Sequence, residues 1–97
     1  MIIEREKIRT GLIKKGFKEG GTKHDLYTLV IDGKIYPIGT KLSRGTGYKD
    51  YTDRLVTAVC HQLGLTTKEI NPFLECTIKL SKYAELLKQR GKIRETN

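Results

Sequence analysis

The dipeptide Asp32-Gly33, set between the runs DLYTLVI (25–31) and KIYPIGTKL (34–42), constrains this chain more than any other feature. An acidic residue followed by glycine suits the left-handed backbone of a two-residue turn, and such a turn joins adjacent antiparallel strands. The first run is rich in β-branched and aromatic residues. Its alternation puts Leu26, Thr28 and Val30 on one face and Tyr27, Leu29 and Ile31 on the other. The second strand, Lys34 to about Ser43, contains Pro37. Proline has no backbone donor, so this strand is an edge or carries a bulge there.

Helices are expected on both sides of the hairpin. In residues 2–15, Ile8 and Leu12 lie one turn apart with Ile13 beside them, and Glu4 and Glu6 sit near the positive end of the dipole. Lys14 and Lys15 fill the last turn, and Gly16 supplies the left-handed stop. Gly11 allows close approach to a sheet, and Phe17 docks on the core. In residues 48–63, Tyr51, Leu55, Val59 and Leu63 recur every four positions, and Tyr48, Val56 and Cys60 widen the stripe. Gly64 ends this helix. Thr66 and Glu69 then match a capping box, opening a short helix through Ile70 that stops near Asn71-Pro72. Cys76, Ile78 and Leu80 alternate as a short further strand. Ser81 caps a final helix, 82–90, with Tyr83, Leu86 and Leu87 inward. Gly91 closes it, and KIRETN reads as a frayed tail. The expected fold is a single α+β domain, a small two-layer sandwich with helices on one face of an antiparallel sheet. An extra strand and helix follow it, in residues 72–91.

Ninety-seven residues suffice for one modest core. Nineteen Lys and Arg against eleven Asp and Glu give a net charge of +8. Residues 1–49 hold eleven basic and five acidic groups, whereas residues 50–97 hold eight and six. Neutralising phosphates releases counterions, so this surplus favours a polyanion seated on the first half. The sequence has no membrane-length apolar run, and MIIEREKIR lacks the apolar core of a signal peptide, so a cytoplasmic protein is expected, with no membrane partner. Cys60 and Cys76 are then free thiols on apolar faces. Neither histidine has zinc-site spacing to them, and Asp25, Asp50 and Asp53 form no recognisable carboxylate set, Asp50 and Asp53 reading as first-turn helix acids. No metal or other cofactor is expected.

His24 is the candidate for chemistry. An imidazole titrates near neutrality and can act as general base or acid. Cleavage of RNA through its own 2′-hydroxyl needs such a group, together with cations for the phosphorane charge. Lys23, Lys41 and Arg44 are the candidates for those cations, with Lys34 as a further phosphate contact. Tyr27 could give a proton or stack on a base, and Tyr36 likewise, although strand tyrosines are more often packing. His61 reads as a surface histidine. The Gly20-Gly21 pair has neither the preceding strand nor the GK[ST] of a nucleotide-binding loop.

Four segments, KKGF, GGTKHDLY, IYPIGTK and HQLGLTTKEI, together resemble the HicA toxin family over residues 8–70. The resemblance implies a fold like the double-stranded-RNA-binding domain, with one helix, a three-stranded sheet and a second helix. It also implies metal-independent mRNA cleavage by a single histidine, which maps onto His24 with Gly21 as the preceding glycine, and neutralisation by a cognate antitoxin protein. Four departures stand out. Pro37 is followed by Ile38-Gly39-Thr40, where the family often has a histidine. The stretch from Pro37 to Gly64 is longer than usual, and residues 72–97 are an addition. Only two strands are legible before the long helix.

Three functions follow from these residues. The first is an RNA-binding, HicA-like ribonuclease. The second is a nucleic-acid-binding module without catalysis, for which His24→Ala would leave binding and cellular effect almost unchanged. The third is a protein-interaction domain presenting a sheet edge, a homodimer being one form of it.

Overall fold

In the computed structural model, which describes residues 2–21, 25–43, 49–75 and 77–93, the chain forms nine elements. They are β1 (Ile3–Glu4), α1 (Arg5–Lys14), β2 (Lys18–Gly20), β3 (Asp25–Ile31), β4 (Lys34–Leu42), β5 (Asp50–Tyr51), α2 (Asp53–Leu63), α3 (Ile70–Leu74) and α4 (Leu80–Gln89). Strands β2, β3 and β4 form an antiparallel sheet in that spatial order, and the two-residue strands β1 and β5 form a separate antiparallel pair. The helices pack on one face of the main sheet, an α+β sandwich as expected.

The hairpin signal holds. Asp32 and Gly33 take φ of 51° and 79°, and both have the positive φ that a tight hairpin turn of this kind requires. Both readings of Pro37 are also realised. β4 is an edge of the sheet, and between the pairs Thr28↔Gly39 and Val30↔Ile35 it spends four positions against two of β3. Pro37 lies inside that bulge, where no ladder donor is required of it.

The third strand of the sheet lies ahead of β3, not behind β4. Lys18, Glu19 and Gly20 are all exposed, and β2 exists because Lys18 pairs with Thr28 and Gly20 with Leu26. The first helix is shorter than its apolar pattern suggested. Ile3 and Glu4 are extended, and Ile3 is buried opposite Tyr51. For the same reason α2 starts at Asp53, and Asp50 is a strand residue while Asp53 remains a first-turn acid.

The core lies between the inner sheet face and the helices. Tyr27, Leu29 and Leu42 meet Ile8 and Leu12 of α1 and Val56, Cys60 and Leu63 of α2, all buried. Phe17 leaves α1 directly into an aromatic cluster, with its ring edge-on to Phe73 at 6.3 Å and 6.2 Å from that of Tyr83. The Tyr83 hydroxyl donates to the Leu63 carbonyl at 2.6 Å, fastening α4 to the end of α2. Gly11 faces α3 rather than the sheet, since a β-carbon there would stand 3.2 Å from the Leu74 Cα.

The late part of the chain differs most from expectation. Thr66 donates its backbone N–H to Glu69 at 2.8 Å, so half of the capping box forms. The helix it introduces begins at Ile70 and runs through Pro72. Proline is harmless there because the first-turn amides of a helix have no intrahelical acceptor. No strand follows among the described residues. Thr77 and Ile78 both donate to the Pro72 carbonyl, a bend that closes α3, and Leu80 already belongs to α4, whose cap position is Lys79 rather than Ser81. Cys76 lies outside the described residues. Within the expected tail Ile93 is buried, and Lys92 donates to the Leu87 carbonyl beyond Gly91. No helix among the described residues is long and apolar enough to cross a membrane.

Candidate nucleic-acid interface

His24, Lys23 and Arg44 lie outside the described residues, and so does all of segment 44–48. Asp25 pairs with Leu42, and Gly20 with Leu26, so the start of β3, the end of β4 and the end of β2 all meet at one end of the sheet. Segments 22–24 and 44–48 therefore both attach at that end. Gly21, next to the first of them, is exposed with φ of 101°.

Helix α1 holds both attachment points. Arg5 and Arg9 are one turn apart and so share a face of the helix. The Arg9 guanidinium donates to the Asp25 carboxylate at 2.7 Å, and it also lies 3.4 Å from Glu6 and 3.9 Å from Glu19. Arg5 donates from Nη1 to the Ser43 carbonyl at 2.6 Å, and its backbone N–H donates to the Lys49 carbonyl at 2.7 Å. The Ser43 N–H in turn donates to the Tyr51 hydroxyl at 2.9 Å. Sequence reading passed over both arginines. Their spacing was visible, but their partners, 16 and 38 residues away, were not.

Tyr27 is buried in the core with its hydroxyl donated to Glu19 at 2.5 Å. Burial, reinforced by that hydrogen bond, pushes its phenol well above the ordinary range, so it keeps its proton at neutral pH. His61 is exposed on α2, as expected, and Cys60 is a buried free thiol whose pKa burial raises.

Lys34 and Lys41 are both exposed on β4, at opposite ends of the strand. Lys41 is paired with Leu26, and Lys18 of β2 with Thr28, on the sheet face away from the helices. That face also exposes Leu26 and Ile35. The bulge at Pro37 creates two clefts. One, of about 380 Å³, is lined by Tyr36, Pro37, Gly39, Lys41 and the outer-face residues Leu26 and Thr28, among others. The other, of about 330 Å³, is lined by Lys34, Ile35, Tyr36, Pro37 and residues 91–93, which include Lys92. Tyr36 and Pro37 form the ridge between them. The Lys34 ammonium stands 5.3 Å from the centre of the Tyr36 ring, within cation–π range. No acidic side chain lines either cleft among the described residues.

Among the described residues no group of three or more His, Cys, Asp or Glu could hold a metal ion. No family model, no curated protein and no solved structure matches this chain.

Proposed function

We propose that the protein binds RNA and cleaves it without a metal ion, His24 acting as general base or acid and Lys23, Lys41 and Arg44 neutralising phosphate. One observation carries this reading. The pairing of Asp25 with Leu42 roots the His24 segment and the Arg44 segment at the same end of the sheet, and Arg9 and Arg5 tie down both roots. A base and its cations must act on one phosphate, and two segments anchored on one rigid helix satisfy that requirement better than two independent loops. The order helix, three-stranded meander, helix in α1, β2–β4 and α2 is also the order that the HicA resemblance implies.

The chemistry balances without a co-reactant. The base takes the proton of the 2′-hydroxyl, the 2′-oxygen bonds to phosphorus, and the bond from phosphorus to the 5′-oxygen breaks. That oxygen leaves with a proton from the acid, giving a cyclic phosphate and a free 5′-hydroxyl. Lysine and arginine side chains offset the extra negative charge of the phosphorane. His24 serves one of the two proton transfers.

The test is cleavage of a mixed RNA by purified protein in excess chelator, beside His24→Ala. Chelator-resistant cleavage that the substitution abolishes is the expected result. RNA binding without cleavage in either protein would replace this reading with that of a non-catalytic binding module.

A further inference from the structure

The clefts on either side of the Tyr36-Pro37 ridge combine a partly exposed aromatic ring with exposed lysines. Tyr36, the aromatic residue of β4, is only partly buried against the core, whereas Tyr27 of the neighbouring β3 is fully buried. Lys34 and Lys92 line one side of the ridge and Lys41 the other, with no carboxylate among the lining residues. Lysines on both sides of an aromatic ridge, with no acidic lining residue among the described ones, are the elements of a single-strand nucleic-acid groove, in which cations follow the backbone and rings stack on bases.

The same strand argues against a protein strand as occupant. An added β-strand needs a continuous row of donors and acceptors along the free edge of β4. Pro37 contributes no N–H, and the bulge between Gly39 and Ile35 breaks the ladder at its middle. The bulge instead brings Tyr36 and Pro37 into the walls of both clefts.

We infer that single-stranded RNA runs along the free edge of β4, its phosphates on Lys92, Lys34 and Lys41 and one base stacked on Tyr36. This inference rests on the RNA reading above and adds the path to it. β4 runs from Lys34 at the hairpin to Leu42, paired with Asp25. A strand engaged at Tyr36 therefore reaches, past Lys41, the end of the sheet where segments 22–24 and 44–48 attach. The groove supplies affinity and length, and the chemistry belongs to the far end.

The test is fluorescence anisotropy of a labelled twelve-nucleotide unstructured RNA titrated with the full chain at several salt concentrations. Tyr36→Leu, which keeps an apolar side chain for packing, is expected to weaken binding about tenfold, within the range for losing one base–aromatic stack. Tyr36→Phe should bind as the parent does. Lys92→Gln and Lys34→Gln, both surface changes without folding risk, should each lower the slope of log K against log salt by about 0.7. RNA binding that Tyr36→Leu and both lysine changes leave intact overturns this path while leaving the RNA reading standing. Absence of RNA binding by the parent chain overturns both. Competition by polyglutamate as effective as by RNA of equal charge overturns the stacking assignment in favour of an acidic protein partner.

Discussion

The Arg9 guanidinium and the Asp25 carboxylate meet at 2.7 Å, joining the middle of the first helix to the first residue of the central strand. Asp25 is 8% exposed, and a carboxylate so placed needs a cation near it. Arg9→Ala removes it. Because the Arg9 side chain keeps 27% of its exposure, the expected loss is about 1–2 kcal/mol, below the cost of breaking a fully buried pair. Urea unfolding of Arg9→Ala, Asp25→Asn and the double variant measures the coupling. Strict additivity of the two losses would show that the pair contributes nothing beyond its separate parts.

A second ion pair makes stability depend on acid. Arg90 grips Glu69 with two hydrogen bonds, at 2.9 and 2.7 Å, and donates also to the Gly64 carbonyl at 2.8 Å. The Arg90 hydrogen bonds, helped by the Thr66 N–H and opposed by burial, hold the Glu69 carboxyl down at about 2. A carboxyl whose pKa is lower in the folded state stabilises the fold fully above its unfolded value, near 4.3. That contribution fades as pH falls from about 5 toward 2. After solvent screening it amounts to about 1–2 kcal/mol. Thermal unfolding between pH 7 and pH 2.5 should show a shallower acid loss in Glu69→Gln than in the parent, with a lower melting temperature at pH 7. Parallel acid profiles would count against the assignment.

Gly11 offers a test in which two effects oppose each other. Alanine in mid-helix gains roughly 1 kcal/mol of helix propensity over glycine. Here its methyl would sit 2.5 Å from the Leu74 Cδ2 and 3.2 Å from the Leu74 Cα. Leu74 is buried, so the methyl forces α3 away from α1, an overpacking cost of about 1–3 kcal/mol. Gly11→Ala should therefore destabilise by about 1 kcal/mol net, and adding Leu74→Ala should cost less than it does in the parent. A more stable Gly11→Ala would mean that the two helices can separate at no cost.

Where local chemistry decides the backbone, the sequence was legible. Asp32-Gly33 gives the turn, Gly16 and Gly64 take positive φ where α1 and α2 end, and the apolar stripe of α2 buries Val56, Val59, Cys60 and Leu63. Elements that exist only through their partners were not. Lys18-Glu19-Gly20 has neither alternation nor β-branched residues, and it is a strand because Thr28, Tyr27 and Leu26 lie beside it. Conversely, Ile78 and Leu80 have the spacing of a strand but pair with none among the described residues, and α4 takes Leu80. Pro72 reads as a stop until the helix is seen to begin at Ile70. The candidate site follows the same rule. Lys34 and Lys41 are exposed, as their strand position dictates, whereas the roles of Arg5, Arg9 and Lys92 depend on residues distant in sequence.

Arg5 gives the most direct test of how α1 holds the second attachment point. Its side chain reaches the Ser43 carbonyl and its backbone N–H the Lys49 carbonyl, so one residue bridges both ends of segment 44–48. Arg5→Ala leaves the backbone bond but removes the charged donor. The expected loss is about 1.5 kcal/mol, the lower part of the range for a hydrogen bond to a charged group, because Arg5 is only partly buried. The effect should also be local. Pairing of Ile3 with Tyr51 depends on this corner, whereas the β3–β4 ladder does not. Hydrogen exchange should therefore speed up around β1 and β5 in Arg5→Ala while amides of Leu29 and Leu42 keep their protection. Arg5→Lys retains the charge without the guanidinium fork and should recover part of the loss. Uniform acceleration throughout the sheet would show that Arg5 supports the fold as a whole and has no special hold on the segment that contains Arg44.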